Sequence, residues 1–104
     1  VQNKNVYTGW LAYPLSIRKN KFFNRTDMQL YLENNNIQTR VVFTGNILKQ
    51  PGFKKIKCIK KSRYQNADKI MEESLLIGCH HGLSSKHIQF IHNKISKFIK
   101  NKVK

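Results

Sequence analysis

The feature that most constrains the fold is a short apolar strand pattern that runs into a glycine-containing turn, and it occurs twice. The first instance is TRVVFTGNILKQP at residues 39–51, and the second is LIGCHHGL at residues 76–83. Turns of this kind present polar side chains at the ends of strands, and binding residues often lie on loops that a rigid scaffold positions. We therefore expect the two segments to form one wall of a binding site.

Length and cysteine content limit the class of protein. A chain of 104 residues forms one domain and can bury a modest core without disulfides or a metal. Cys58 and Cys79 make no disulfide framework and have no second Cys at metal spacing, which predicts a reducing, cytoplasmic setting. No apolar run approaches the roughly 18 to 20 residues that span a bilayer, so we expect no membrane partner. The chain starts at Val1 without a Met, and we expect it to be a piece of a longer protein.

The formal net charge of +15 raises the question of a polyanionic partner. Nucleic acid, an acidic membrane surface and an anionic substrate all attract such a chain. However, sixteen of the basic residues are Lys and four are Arg, whereas bidentate recognition of phosphates and bases favours Arg. Asn and Ile, which like Lys have A/T-rich codons, number eleven each. The charge therefore predicts a solvated surface with weak, nonspecific polyanion binding.

The first half of the chain predicts a strand followed by a helix. Alternating apolar residues over 11–18 predict a half-buried strand with Leu11, Tyr13, Leu15 and Ile17 on one face. Pro14 cannot donate to a ladder, so this strand either lies at a sheet edge or pairs on its other side at that position. A cap at residues 24–27 starts a helix whose apolar surface comes from residues 28–32, and the asparagines at 34–36 end it.

The second half predicts two strands and two helices. From residue 37 to 44 the period is two, with Phe43 on one face and Arg40 on the other. Residues 54–61 form either a loop or an edge strand protected by charge. A helix over 67–73, capped near Asn66 or Asp68, precedes a strand over 74–79, and Ser84 or Ser85 caps a final amphipathic helix. These elements predict an α+β fold: a small, mostly antiparallel sheet with helices packed on one face.

The residues that suggest chemistry do not complete a catalytic site. Adjacent side chains on a strand point to opposite faces, so His80 and His81 are poor metal ligands. In a turn they either hydrogen-bond a polar ligand or simply pack. Cys79 lacks an obvious catalytic base, which favours a buried thiol over a nucleophile, while Arg40 suits a carboxylate or phosphate. The sequence contains no Ser-His-Asp order, paired carboxylates or phosphate-cradling glycine loop.

Five short phrases in order give the chain a resemblance to a known family. The phrases are WLAYPL at 10–15, NRTD at 24–27 with YLE at 31–33, IQTR at 37–40 with FTGN at 43–46 and QP at 50–51, AD at 67–68 with IM at 70–71, and GCHHGL at 78–83. With these phrases the chain resembles the C-terminal small domain of the DegT/DnrJ/EryC1/StrS nucleotide-sugar enzymes, in the branch of lipopolysaccharide-biosynthesis 3-dehydratases.

The resemblance implies a pyridoxal-phosphate enzyme of the aspartate-aminotransferase fold type. Residues 1–104 would be one domain, a C-terminal fragment beside a large cofactor-binding domain of the same chain, in a homodimeric parent. Pyridoxal phosphate or pyridoxamine phosphate would bind the parent, and this fragment alone would bind none and be inactive. The substrate would be a nucleotide-linked keto-deoxy sugar, and the reaction 3-dehydration of a 4-keto-6-deoxyhexose or, as the alternative, amino transfer.

The same resemblance implies which residues of this domain face the sugar nucleotide. Arg40 would contact an anionic group, and Asn46, Gln50, His80 and His81 would make polar contacts to the sugar or to the domain interface. A hypothesis from a different class is a free-standing nucleic-acid-binding module. It requires the lysines to gather on one face with aromatic side chains available for stacking.

Overall fold

The computed structural model describes residues 4–43 and 45–104. These residues form a three-stranded antiparallel sheet and three α-helices, which confirms the predicted α+β class. The elements are β1 (Ala12–Ser16), α1 (Arg25–Glu33), β2 (Thr39–Val41), α2 (Gln65–Glu73), β3 (Ser74–Gly78) and α3 (Ser85–Lys102), with 3₁₀ turns at Ile47–Lys49 and Pro51–Phe53.

The sheet has the order β1-β3-β2, so the last strand in the chain is the central one. Leu76 of β3 lies between Pro14 of β1 and Arg40 of β2, and Leu75 lies opposite Leu15. Because side chains alternate along a strand, Leu75 and Leu76 face opposite sides of the sheet. Pro14 is on an edge strand, one of the two predicted alternatives.

One face of the sheet carries the core. Leu75 and Ile77 of β3 pack against α1 and α3, where Phe98 contacts the rings of Phe23 and Tyr31 at centroid distances of 5.0 and 4.9 Å. The buried hydrophobic residues are Met28, Leu32, Ile37, Leu75, Ile77 and Phe98. The helices that build this core lie on one face of the sheet, as the sequence predicts.

Helices α1 and α3 begin at predicted caps. Asn24 and Asp27 form a capping box at the start of α1, with hydrogen bonds of 2.9 and 3.1 Å between each side chain and the other residue's backbone N–H. Asn36 adopts a left-handed conformation (φ 59°) just after α1, the role expected of this asparagine run. Ser84, rather than Ser85, caps α3 by accepting from the backbone N–H of His87.

The apolar surface of α1 and the half-buried face of β1 contain fewer residues than predicted. Leu30 is exposed, because Met28 and Leu32 form the buried stripe of α1 and Leu30 lies between them on the opposite side. Leu11 precedes β1 and is 89% exposed, and Tyr13 is 56% exposed, so Leu15 and Ile17 alone form the half-buried face that was predicted to include all four.

The strand predicted over residues 37–44 is wrong in its extent. β2 ends at Val41, because the backbone N–H of Phe43 bonds back to the carbonyl of Val41 and turns the chain. Phe43 has φ 43° and is 82% exposed, so it does not share a strand face with Ile37. Thr44, the last residue of that predicted strand, lies outside the described residues.

The start of α2 also differs from the prediction. The helix begins at Gln65 and its N-cap is Tyr64, with φ 48° and no side-chain cap bond, rather than Asn66 or Asp68. Residues 54–64 contain neither helix nor strand, so the loop alternative describes this lysine-rich segment. β3 follows α2 directly and ends at Gly78, one residue before the predicted end.

Gly45→Ala is expected to destabilise the chain. Gly45 has φ 59°, and a Cβ there would overlap the Cβ of Met71 and lie 2.6 Å from its Cα, so both strain and overlap oppose a side chain. We expect a loss of about 1 to 3 kcal/mol, measured by urea unfolding. Gly52→Ala is the control, since a Cβ at Gly52 meets nothing within 4 Å. Equal stability of the two variants would contradict the close approach of Gly45 to α2.

Candidate functional site

Arg40 lies on the face of the sheet opposite the core. This open face borders a cleft of about 590 Å³, which we call the open-face cleft. Arg40 contributes the one charged side chain among the described residues that line it. The main residues that line the open-face cleft are Leu11, Gln38, Arg40, Phe43, Leu76 and Gly78. An exposed guanidinium beside apolar side chains is suited to an anionic group carried by a partly apolar ligand.

The backbone that presents Arg40 is tied to the end of α1. The carboxylate of Glu33 accepts hydrogen bonds from the backbone N–H of Thr39 and, at 2.8 Å, from its Oγ1. The hydrogen bond from the Thr39 backbone is the larger cause, and with the one from the Thr39 hydroxyl it holds the pKa of Glu33 below its ordinary value. The charge of Arg40 lowers this pKa as well. Arg40 therefore stands on a short strand held at its first residue.

His80 and His81 follow the end of β3 in a tight turn. His80 Nδ1 accepts from the backbone N–H of Gly82 at 3.1 Å, and the carbonyl of His80 accepts from Leu83 at 3.1 Å. Since Nδ1 is an acceptor, the neutral ring carries its proton on Nε2, which can donate to a ligand. The two histidine rings stand edge to face with centroids 6.3 Å apart.

His80 and Arg40 open onto neighbouring clefts. His80 lines a cleft of about 490 Å³ at the end of the sheet, and Gln38 and Gly78 line both this cleft and the open-face cleft. Gln38 lies two residues before Arg40 and so shares its side of the chain. Gln38 is a site residue that was not predicted, although the period-two pattern that places Arg40 on this face of the sheet also places Gln38 there.

Asn46 and Gln50 lie elsewhere, against α2. Asn46 is buried, its Nδ2 donates to Asp68 Oδ1 at 2.7 Å, and its Oδ1 accepts from the backbone N–H of Leu48 at 3.0 Å. Gln50 Nε2 lies 3.7 Å from the sulfur of Met71. The structure thus brings Arg40 and His80 to adjoining clefts and places Asn46 and Gln50 at a separate contact. Direct substrate binding by these two residues stays a prediction.

Asp68 is the electrostatic centre of that contact. Its carboxylate accepts from Asn46 and pairs with Lys49 Nζ at 3.0 Å. The hydrogen bond from Asn46, followed by the one from Lys49, holds the pKa of Asp68 below its ordinary value. Sequence reasoning missed this role, because nothing near Asp68 in the chain indicates that residues 46–49 fold back onto α2.

Metal and membrane-spanning functions find no support in the described part of the chain. Within residues 4–43 and 45–104, no three His, Cys, Asp or Glu side chains are grouped to hold a metal ion. None of the helices that the structure describes combines the length and apolar character needed to cross a bilayer.

Comparison with known proteins connects this arrangement to one family. The sequence model of the DegT/DnrJ/EryC1/StrS aminotransferase family matches residues 1–96. The lipopolysaccharide biosynthesis protein RfbH of Salmonella typhimurium is 29% identical over 89 residues, which are 86% of this chain and 20% of that protein. The dTDP-4-dehydro-2,6-dideoxy-D-glucose 3-dehydratase of Saccharopolyspora spinosa is 26% identical over 90 residues, with the same shares. The chain thus spans about a fifth of the length of these curated relatives.

Asn46→Ala is expected to lower stability, whereas Arg40→Ala is not. The buried Asn46 amide satisfies Leu48 and Asp68, so its loss should cost about 1 to 3 kcal/mol. Arg40 is exposed, and its replacement should change the free energy of unfolding by less than about 0.5 kcal/mol. Urea unfolding of both variants tests this. The reverse order of losses would show that Arg40 is the structural residue.

Acid should weaken the contact between residues 46–49 and α2. A carboxyl whose pKa is lower in the folded state stabilises the fold above its unfolded pKa, and this contribution is lost as pH falls through the folded value. Carbon NMR titration should give Asp68 and Glu33 midpoints below those of the same residues in unfolded peptides. Asp68→Asn should reduce the stability difference between neutral and acidic pH. An unchanged difference would remove Asp68 from the acid response.

Proposed function

The chain belongs to the DegT/DnrJ/EryC1/StrS aminotransferase family, and we propose that it is the C-terminal small domain of a nucleotide-sugar 3-dehydratase. The substrate class is a nucleotide-linked 4-keto-6-deoxyhexose, used for lipopolysaccharide, O-antigen or capsule sugars. The observation that carries the proposal is that the two relatives named above are a lipopolysaccharide biosynthesis protein and a sugar 3-dehydratase. The alternative within the family is a sugar aminotransferase.

Membership of this family implies that the whole protein depends on pyridoxal phosphate. The cofactor would supply an electron sink for reactions at the substrate carbon next to a carbonyl or amine. A lysine that holds such a cofactor needs a shielded environment. None of the sixteen lysines, all of which lie in the described residues, is buried. Lys94, the half-buried one, donates to Asn35 Oδ1 at 2.7 Å.

The described residues therefore do not fit the cofactor's anchor, and we assign them no step of its chemistry. We propose that the anchor belongs to a large domain of the same chain in a parent that forms a homodimer. The matched residues cover only about a fifth of the length of each relative, which supports a larger parent.

The open face of the sheet is the surface that we propose the large domain covers. Leu11 and Phe43, which border the open-face cleft, are among the most exposed apolar side chains that the structure describes. Exposed apolar surface next to a polar rim is typical of an interface. Covering this face would enclose Arg40 and lower the effective dielectric around its guanidinium, which strengthens its attraction for an anion.

Arg40 would then contact the diphosphate of the sugar nucleotide. We propose that His80, whose Nε2 can donate, contacts sugar oxygens from the cleft that it lines beside the open-face cleft, and that His81 contacts them from the same turn. Asn46 and Gln50 would act from their contact with α2, by holding residues 45–53 in place. This division assigns charge recognition to β2 and sugar recognition to the turn after β3.

The reaction itself can be tested with the full-length protein and a nucleotide-linked 4-keto-6-deoxyhexose. With pyridoxamine phosphate present, the proposal expects a product that has lost the 3-hydroxyl group, identified by mass spectrometry and NMR. A product that instead gains an amine would support the aminotransferase alternative. No reaction with any such sugar would contradict both.

Arg40→Ala in the full-length protein should lower kcat/KM by about 10- to 150-fold, the scale of a hydrogen bond to a charged group at about 1.5 to 3 kcal/mol. The melting temperature should remain unchanged, because Arg40 is exposed and contributes nothing to the core. Arg18→Ala is the control, since Arg18 is also exposed but lies after β1, away from the open-face cleft. Unchanged kcat/KM with a lower melting temperature would place the pocket elsewhere.

A further inference from the structure

The segment between the second 3₁₀ turn and α2 concentrates positive charge. Residues 54–64, which we call the basic loop, contain Lys54, Lys55, Lys57, Lys60, Lys61 and Arg63 and no acidic residue. The surrounding stretch from residue 34 to residue 67 likewise lacks any Asp or Glu. This charge is unbalanced over a third of the chain, so it is not part of an alternating, self-neutralising surface.

The structure exposes the whole basic loop. Every residue from 54 to 64 is exposed, and none belongs to a helix or strand. The ion pairs among the described residues join Lys49 to Asp68 and Glu72, so these acids neutralise Lys49 rather than the loop. The cations of the loop therefore face solvent without a neighbouring carboxylate in the described part of the chain.

Apolar side chains alternate with these cations. Ile59 is 88% exposed and Ile56 is 53% exposed, and Cys58 between them is exposed as well. Each of these isoleucines leaves a branched apolar side chain in water, and its transfer to an apolar environment would be favourable. The combination of lysines and exposed aliphatic side chains is typical of segments that lie in the interface of a membrane.

We propose that the basic loop binds the surface of an anionic lipid bilayer. The lysines would contact lipid phosphates, and Ile56 and Ile59 would enter the boundary between headgroups and acyl chains. This departs from the sequence-based expectation of no membrane partner, because that expectation rested on the lack of a spanning segment. The proposal does not depend on the proposed catalytic function.

Nucleic acid is the competing polyanion, and the loop fits it less well. Single-stranded nucleic acid is bound by stacking bases on aromatic rings and by arginine. The loop has Tyr64 as its one aromatic residue, with its hydroxyl accepting from the backbone of Lys61, and Arg63 as its one arginine. Exposed isoleucines gain nothing from phosphates or base edges, whereas a bilayer interface removes them from water.

Flotation of the full-length protein with vesicles tests the proposal. We expect binding to vesicles of phosphatidylcholine with phosphatidylglycerol, little binding to phosphatidylcholine alone, and weaker binding as salt rises. Lys60→Gln with Lys61→Gln should weaken binding by about fivefold for each lysine. Ile56→Ser with Ile59→Ser, which leaves the charge unchanged, should weaken it by about tenfold or more.

Matched variants on α3 separate the loop from net charge. Lys97→Gln with Lys100→Gln removes the same charge, and Ile88→Ser with Ile99→Ser removes two isoleucines that are 57% and 41% exposed. Neither should change binding as strongly as its counterpart in the loop, and circular dichroism should show that all variants stay folded. Equal effects of loop and α3 variants would overturn the proposal. Binding to RNA but not to anionic vesicles, unaffected by the isoleucine substitutions, would overturn it in favour of nucleic acid.

Discussion

The pairing of β3 with both of its neighbours is the interaction on which the rest of the structure depends. The strand lies between β1 and β2, and its register places Leu75 and Ile77 toward the helices and Leu76 and Gly78 toward the open face. A slip of one residue would exchange these faces, burying the open face and exposing the core. Complete burial of Leu75 against α1 and α3 opposes any such slip.

The register of β3 also determines where the candidate site residues lie. Arg40 reaches the open face because it lies opposite Leu76, and the turn with His80 begins where β3 ends. Arg40 therefore lies on the face of the sheet opposite the core, whereas the cleft that His80 lines also includes Ile37 of the core and Ile91 of α3.

A second contact positions the segment between β2 and α2. Gly45 approaches Met71, Asn46 binds Asp68, and Lys49 pairs with the same carboxylate. This contact holds the start of the connection on α2, while the basic loop that follows it is exposed throughout. The connection thus divides into a half that packs and a half that faces solvent, and our two proposals about binding concern different segments of the chain.

The sequence by itself determined the α+β class and the cap at Asn24, because these depend on local periodicity and on a side-chain cap. It left Ser84 or Ser85 as the cap of α3 and two possible positions for Pro14, and the structure shows Ser84 and the sheet edge. The resemblance in five short phrases is confirmed by the family to which the chain belongs.

Only the tertiary structure decided that β2 ends at Val41 and that Tyr64 is the N-cap of α2. It also decided that Asn46 and Gln50 lie against α2 rather than beside Arg40. The pairing of Asn46 with Asp68 joins residues that are 22 positions apart, and no local pattern encodes a contact at that separation. Local preference chooses the elements, but which polar side chains meet is set by how the sheet and helices pack.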